Sequence, residues 1–326
     1  MLPTLRIVIL AGCAAALAAA ASTPLIRLER SLDAMGTTYT IAAYGPDRFQ
    51  MESVIDEAFA EVERLDQLLS NYRPDSEWSR VNRDAPQRPV AVSEELYNLL
   101  DRCLAYSRAS EGAFDITVGP LMKLWGFYRG QGRVPRRFEI RTALGRIGYQ
   151  HIQLDPARRT VRFLKPVEMD PGGIGKGYAV DRMVDILRAR GLASAIVSAG
   201  RSSIYGIGAP PNEPRGWRIT IPHPRAPRQS VAEYYLKDHS MSTSGTAEKF
   251  FAIGRRTYSH IMDPRTGQPA TGMLQVSVLA PKTIDSEAWT KPYFVLGRQW
   301  AARHKPRDFT VFLCEDRSEI QCVSLP

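Results

Sequence analysis

Asp170-Pro171-Gly172-Gly173-Ile174-Gly175-Lys176-Gly177 separates an extended run, Val167 to Met169, from Gly177 to Arg190, where Val180, Met183, Val184 and Leu187 recur at helical spacing. Gly191 supplies a natural helix stop, and the apolar stretch Ala195 to Ser198 then reads as a buried strand. Four glycines within six positions let a backbone come close to a ligand. A helix beginning at the same place offers N–H groups to an anion, and Lys176 adds a cation. A phosphate-bearing ligand follows from that chemistry, although a turn of this kind also serves as a tight connection. Neither the Walker A spacing nor the Gly-x-Gly-x-x-Gly dinucleotide fingerprint is present.

Outward from this turn, the pattern is strand at Ile152 to Leu154 and Val161 to Leu164. A helix opens at Ser93 with the stripe Leu96, Leu99, Leu100, Cys103, Leu104, and a longer one carries Met51, Val54, Ile55, Ala58, Val62, Leu65 and Leu69. Residues 25 to 45 pair as two strands around Met35-Gly36, Asn71 to Asn82 is a polar loop, and 129 to 145 is a basic stretch. Towards the C-terminus, strands are expected at Val231 to Tyr235, Tyr258 to Ile261, Val276 to Leu279, Phe309 to Cys314 and Ile320 to Ser324. Ser286 to Leu296 starts as a helix despite Pro292. The alternation lacks the regular beta-alpha repeat of a barrel or doubly wound sheet, so the class is α+β, and no low-complexity linker divides the body.

The 326 residues are 44% hydrophobic and 24% charged, a balance that excludes wholesale disorder and a polytopic membrane protein. Forty-three Lys and Arg against 34 Asp and Glu give a formal charge of +9. The basic residues are scattered and accompany no nucleic-acid module, so a solvated basic surface is the expectation and a nucleic-acid partner is not.

Residues 1–21 read as an export signal, with one cation at Arg6 and a short apolar, alanine-rich run. Two processing routes are open: cleavage after Ala19-Ala20-Ala21, or lipidation at Cys13 of the lipobox-like Leu10-Ala11-Gly12-Cys13. Both place residues 22–326 outside the cytoplasmic membrane, in the periplasm or on its inner-membrane face. There a Cys314–Cys322 disulfide is open, while Cys103 on its apolar stripe reads as a buried thiol.

Two more clusters carry polar chemistry: Ser242-Thr243-Ser244-Gly245, and Tyr258-Ser259-His260-Ile261-Met262-Asp263-Pro264-Arg265-Thr266-Gly267. Gly112-Ala113-Phe114-Asp115-Ile116-Thr117-Val118-Gly119 combines a ring and a carboxylate in a glycine-bounded turn. With Met35-Gly36-Thr37, the stretch Leu69 to Glu77, and Ser79 to Asn82, these pieces in this order resemble the FAD:protein FMN transferases, the ApbE family. The likeness covers nearly the whole exported body.

That resemblance implies an ApbE-like, T-fold-related, two-lobed single domain with mixed or antiparallel sheets packed on helices. It implies FAD as donor and magnesium-dependent transfer of the FMN half to a Thr or Ser hydroxyl of a partner protein, a membrane or periplasmic redox protein, with release of AMP. It places Met35, Tyr72, Ala113, Phe114, Asp115, Asp170, Lys176 and Met262 around FAD. Flat or polarizable side chains suit the rings and carboxylates suit ribose or adenine donors. His260 and Asp263 either assist proton removal from the acceptor hydroxyl or orient their loop.

The chain departs from the family pattern at the metal. The resemblance implies a ligand set of the Gly173 carbonyl, an Asp, and a Thr four residues later. Aligned on Phe294-Val295-Leu296-Gly297, Glu287 and Lys291 occupy those two positions, and Thr290 gains the hydroxyl role only after a one-residue slide. A protonated lysine is no ligand. Arg201-Ser202 likewise replaces a glycine pair. Two outcomes follow: Lys291 supplies part of the metal's charge in an active enzyme, or turnover is lost. The alternatives to transfer are a non-catalytic FAD-binding envelope protein and an FAD pyrophosphatase yielding FMN and AMP.

Overall fold

The computed structural model describes residues 24–326 except 129, 247–249 and 255. The proposed export signal therefore lies outside the described residues. A hairpin of β1 (Ile26–Ala34) and β2 (Thr37–Gly45) turns at Met35-Gly36, both at positive φ (49° and 71°), the geometry that tight two-residue hairpins require. Asp47 then caps α1 (Arg48–Leu69), whose buried face is the stripe read from the sequence.

The segment read as a polar loop holds a further helix, α2 (Glu77–Asp84), capped by Ser76, whose hydroxyl accepts from Ser79 N at 2.9 Å. Only Trp78 and Val81 of it are buried, too few positions to show a period. After β3 (Val90–Ala91) comes α3 (Glu94–Ala109), capped by Ser93 as its sequence indicates. Two short helices follow, α4 (Gly119–Leu124) and α5 (Arg137–Leu144), the latter inside the basic stretch.

Strands β4 (Ile152–Asp155) and β5 (Thr160–Phe163) join β3 in a small sheet. Val167 to Met169, expected as a strand, joins no ladder. Asn82 holds the Met169 backbone from both sides (N to Oδ1 2.8 Å, Nδ2 to O 2.9 Å), and Trp78 Nε1 donates to the same carbonyl, so side chains satisfy what a neighbouring strand would.

The glycine turn leads into α6 (Gly175–Ala189), which ends before Gly191 at φ 81°. Next come β6 (Ala195–Ala199), β7 (Ser203–Ile207), the β8 (Trp217–His223) and β9 (Ala226–Leu236) hairpin, and β10 (His239–Gly245). A further hairpin pairs β11 (Phe250–Ile253) with β12 (Arg256–Ser259), and β13 (Met262–Asp263) pairs with β14 (Gln268–Pro269). The strand expected over Tyr258 to Ile261 thus breaks after Ser259. The chain closes with β15 (Met273–Ala280), α7 (Thr283–His304), β16 (Thr310–Glu315) and β17 (Gln321–Leu325).

The main sheet runs β1-β2-β6-β7-β10-β15-β16-β17, every adjacent pair antiparallel. One core lies between α1, α6 and strands β2, β6 and β7; another lies between α7 and strands β15 and β16. The second lobe buries α2, α3, β4 and β5 around Trp78, Phe114 and Met169. This is the expected α+β class. Cys314 faces Cys322 in register and the two are joined, whereas Cys103 is a buried free thiol. No helix among the described residues is long and apolar enough to cross a membrane.

The helices bearing the glycine turn and the C-terminal wall are locked to each other. Asp181 of α6 accepts from Thr283 N (2.7 Å) and Ile284 N (2.9 Å), satisfying donors at the start of α7 that lack intrahelical partners. In return, Glu287 Oε2 of α7 accepts from Gly177 N at the start of α6. The approach is close enough that a Cβ on Gly177 would stand 2.5 Å from the Thr283 carbonyl oxygen.

Candidate active site

Between the lobes opens a cavity of about 640 Å³, walled by the β1–β2 turn, the end of α1, the Ala113–Val118 segment, the glycine turn, residues 201 and 202, His260 to Met262, and Lys291. That volume falls in the roughly 300–1,000 Å³ range of small-molecule sites.

The floor is the glycine turn. Asp170 Oδ1 accepts from Gly172 N at 2.6 Å, and its other oxygen accepts from the Tyr128 hydroxyl, so the carboxylate shapes the turn as well as facing the cavity. Ile174 N and Gly175 N both donate to the Pro171 carbonyl, closing the loop onto the first turn of α6. Met35 Cε lies 3.3 Å from where a Cβ on Gly175 would sit, so the hairpin tip packs on the start of α6. Lys176, the second residue of α6, lines the cavity.

One side is aromatic. Phe114 is buried, meets Tyr106 edge-on with centroids 5.8 Å apart, and lies 3.4 Å from a Cβ position on Gly173. Tyr72, 75% exposed, stands at the lip edge-on to Tyr128 with centroids 6.2 Å apart. Burial and the neighbouring Asp170 push both tyrosine hydroxyls above their ordinary pKa, so they are neutral donors. Asp115, although beside the cavity, spends its oxygens on Thr117 N, Thr117 Oγ1 and Tyr149 N at 2.7–2.8 Å. Burial nevertheless holds its carboxyl above the usual range, and its part in the geometry is to fix the turn that presents Ala113 and Phe114.

The opposite wall is α7. Lys291 lies along Gly173, its Cε 3.7 Å from the Cβ position there. Its ammonium donates to the Glu287 carbonyl at 2.9 Å and stands 4.0 Å from Glu287 Oε1. The Lys176 ammonium reaches the same oxygen at 4.0 Å. Glu287 is 2% exposed, and Oε1 makes no hydrogen bond among the described residues.

The expected ligand set does not fit a divalent cation. Its one carboxylate is flanked by two ammonium groups, and the Lys291 stem lies along Gly173. Thr290 is fully buried, its hydroxyl donating to the Glu287 carbonyl and bonded to Ser244. No group of three or more His, Cys, Asp or Glu suited to a metal gathers among the described residues.

His260 and Met262 line the rim, but Asp263 does not; Arg265 clamps both its carboxylate oxygens at 2.9 Å. Asp263 thus builds the turn that holds His260. Ser242 and Ser244 point into α7 rather than the cavity, bonding Ser286 and Thr290 at 2.8 Å. Phe127, Tyr128 and Arg201 join the cavity without having been singled out as ligand contacts, since their loops carry no periodic signal.

A profile described as the ApbE family matches residues 35–311. An FAD:protein FMN transferase of Klebsiella pneumoniae is 32% identical over 304 residues, 90% of this chain and 85% of that protein. The crystal structure of the ApbE protein from Thermotoga maritima superposes with a TM-score of 0.82 at 30% identity, covering 91% of this chain and 96% of the other. The apo form of Pseudomonas stutzeri flavinyl transferase ApbE gives 0.80 at 29%, covering 92% and 95%.

Proposed function

The chain belongs to the ApbE family, and from that premise we propose that it is an FAD:protein FMN transferase acting on an envelope protein. The observation that carries this reading is the cavity itself. A glycine turn and two ammonium groups border a space that also presents Phe114, Tyr72 and Met35. That combination suits a ligand with two ring systems joined by a diphosphate.

In this reading the rings rest on Phe114, Tyr72, Met35 and Met262, with Ala113 leaving room beside them. Asp170 and Asp115 keep the turns in shape, and the diphosphate lies between Lys176 and Lys291. The acceptor's Ser or Thr oxygen forms a bond to the FMN-side phosphorus as that phosphorus parts from the bridging oxygen. AMP leaves with the bridging oxygen and its electron pair. The hydroxyl proton passes to the imidazole of His260, which Asp263 and Arg265 steady through their turn. Little covalent chemistry is asked of the protein; in-line placement and neutralised phosphate charge lower the barrier.

Export is part of the same proposal, supported by the signal-like residues 1–21 and by the joined Cys314 and Cys322, which suit an oxidising compartment. Incubation of the purified protein with FAD and a candidate acceptor tests the function. Covalent flavin on the acceptor with stoichiometric AMP is expected. Free FMN with AMP would mark a pyrophosphatase instead, and intact bound FAD a binding protein.

A further inference from the structure

We propose that Lys291 takes the place of a divalent cation at the diphosphate, so that this chain binds and cleaves its dinucleotide without added metal. The inference rests on the reading above, that the cavity takes FAD.

An ordinary explanation for Lys291 and Glu287 is an i,i+4 ion pair supporting a helix. Three observations count against it. Glu287 is almost fully buried, where such pairing brings a desolvation cost that an exposed helical pair avoids. The contact is 4.0 Å, too long for a hydrogen bond, and the lysine donates instead to a backbone carbonyl. A second ammonium, Lys176 from another helix, stands at the same 4.0 Å from the same oxygen.

Two cations from two elements thus converge on one carboxylate oxygen that neither hydrogen-bonds. Glu287 is fixed from below by Gly177 N, and both lysines line the cavity above it. The carboxylate holds the ammonium groups side by side, each 4.0 Å from its Oε1, against their mutual repulsion. A dianionic diphosphate entering the cavity offers the stronger acceptors. Arg201, on the turn between β6 and β7, brings a third cation to the same space.

The placement is also exclusive. Lys291 Cε lies 3.7 Å from the Cβ position on Gly173, so a divalent ion seated between Gly173 and Glu287 would have an ammonium as its neighbour where the expected set needs an oxygen ligand. During cleavage the same ammonium groups stay where charge grows on the transferring phosphate, which is the contribution a metal otherwise makes.

The test is FAD fluorescence quenching and FMN transfer measured in EDTA and in Mg²⁺, for the wild type, Lys291→Met and Lys291→Arg, with circular dichroism melts to confirm folding. For the wild type, affinity and transfer rate are expected to agree between the two buffers within about twofold. Lys291→Met should weaken binding in EDTA by about tenfold, the loss of one charge-assisted contact. Lys291→Arg should keep the metal-free binding. The inference is overturned if wild-type binding and transfer vanish in EDTA and return with Mg²⁺, or if Lys291→Met matches the wild type in EDTA; either result leaves the FAD reading standing. Absence of quenching in both buffers overturns that reading and this inference together.

Discussion

The Asp170–Gly177 turn and the first turns of α7 face the same end of the cavity, yet they are specified in different ways. The turn is defined by backbone: Asp170 bonds Gly172 N, Pro171 accepts two amides, Met35 and Phe114 pack closely on Gly175 and Gly173, and Gly177 admits α7 at a distance a side chain would forbid. The α7 wall is defined by side chains on the helical stretch that precedes the break of α7 at Gly297, where Glu287 and Lys291 are one turn apart. A backbone-defined wall tolerates little substitution. A helical wall can exchange one side chain for another and change its chemistry while keeping its place.

Substitution where the walls meet should break that contrast most severely. Gly177→Ala drives a methyl group to 2.5 Å from the Thr283 carbonyl oxygen, so α6 and α7 must part. A loss of about 3 kcal/mol is expected in denaturant melts, with FAD binding lost alongside it. A melt equal to the wild type would show that the helices slide freely.

The carboxylate tying the same helices gives a pH dependence. Burial, outweighing its two amide bonds, lifts Asp181 to about 6, so the folded protein holds a proton that the unfolded chain has released. That stabilisation is complete below about pH 4 and is lost as pH rises through about 6, a fall of about 3 kcal/mol at most. Asp181→Asn should flatten the profile between those limits, as thermal melts against pH would show.

At the ligand, Lys176→Met should reduce FAD affinity by about tenfold or more in EDTA and in Mg²⁺ alike, because its charge belongs to the fixed wall. The smallest effect is expected from Ser242→Ala, which removes a hydroxyl bonded to Ser286 beneath α7. About 1 kcal/mol of stability should go while FAD affinity stays constant. An altered affinity would place β10 in the site after all.

The same division explains what could be read in the residue string. The hairpin at Met35-Gly36, α1, α3 and the glycine turn were legible because each is written locally, in a stripe, a cap or a cluster of glycines. The α2 helix escaped because two buried positions make no period, and α5 because Ile140 and Ala143 are its only inward residues amid arginines. Val167 to Met169 looked like a strand because its pattern is extended, but the partner of Met169 sits on α2, 87 residues earlier. At the site, residue identities were legible and orientations were not. Nothing local shows that Ser242 and Ser244 face a helix, that Arg265 occupies Asp263, or that Tyr128 reaches Asp170.

A crystal structure of the protein with FAD, grown in EDTA, would locate the diphosphate relative to the two ammonium groups. The diphosphate is expected between the glycine turn and α7, with both the Lys176 and Lys291 ammonium groups at about 3 Å from phosphate oxygens. A dinucleotide whose diphosphate lies elsewhere, with Lys291 still turned to Glu287, would contradict it.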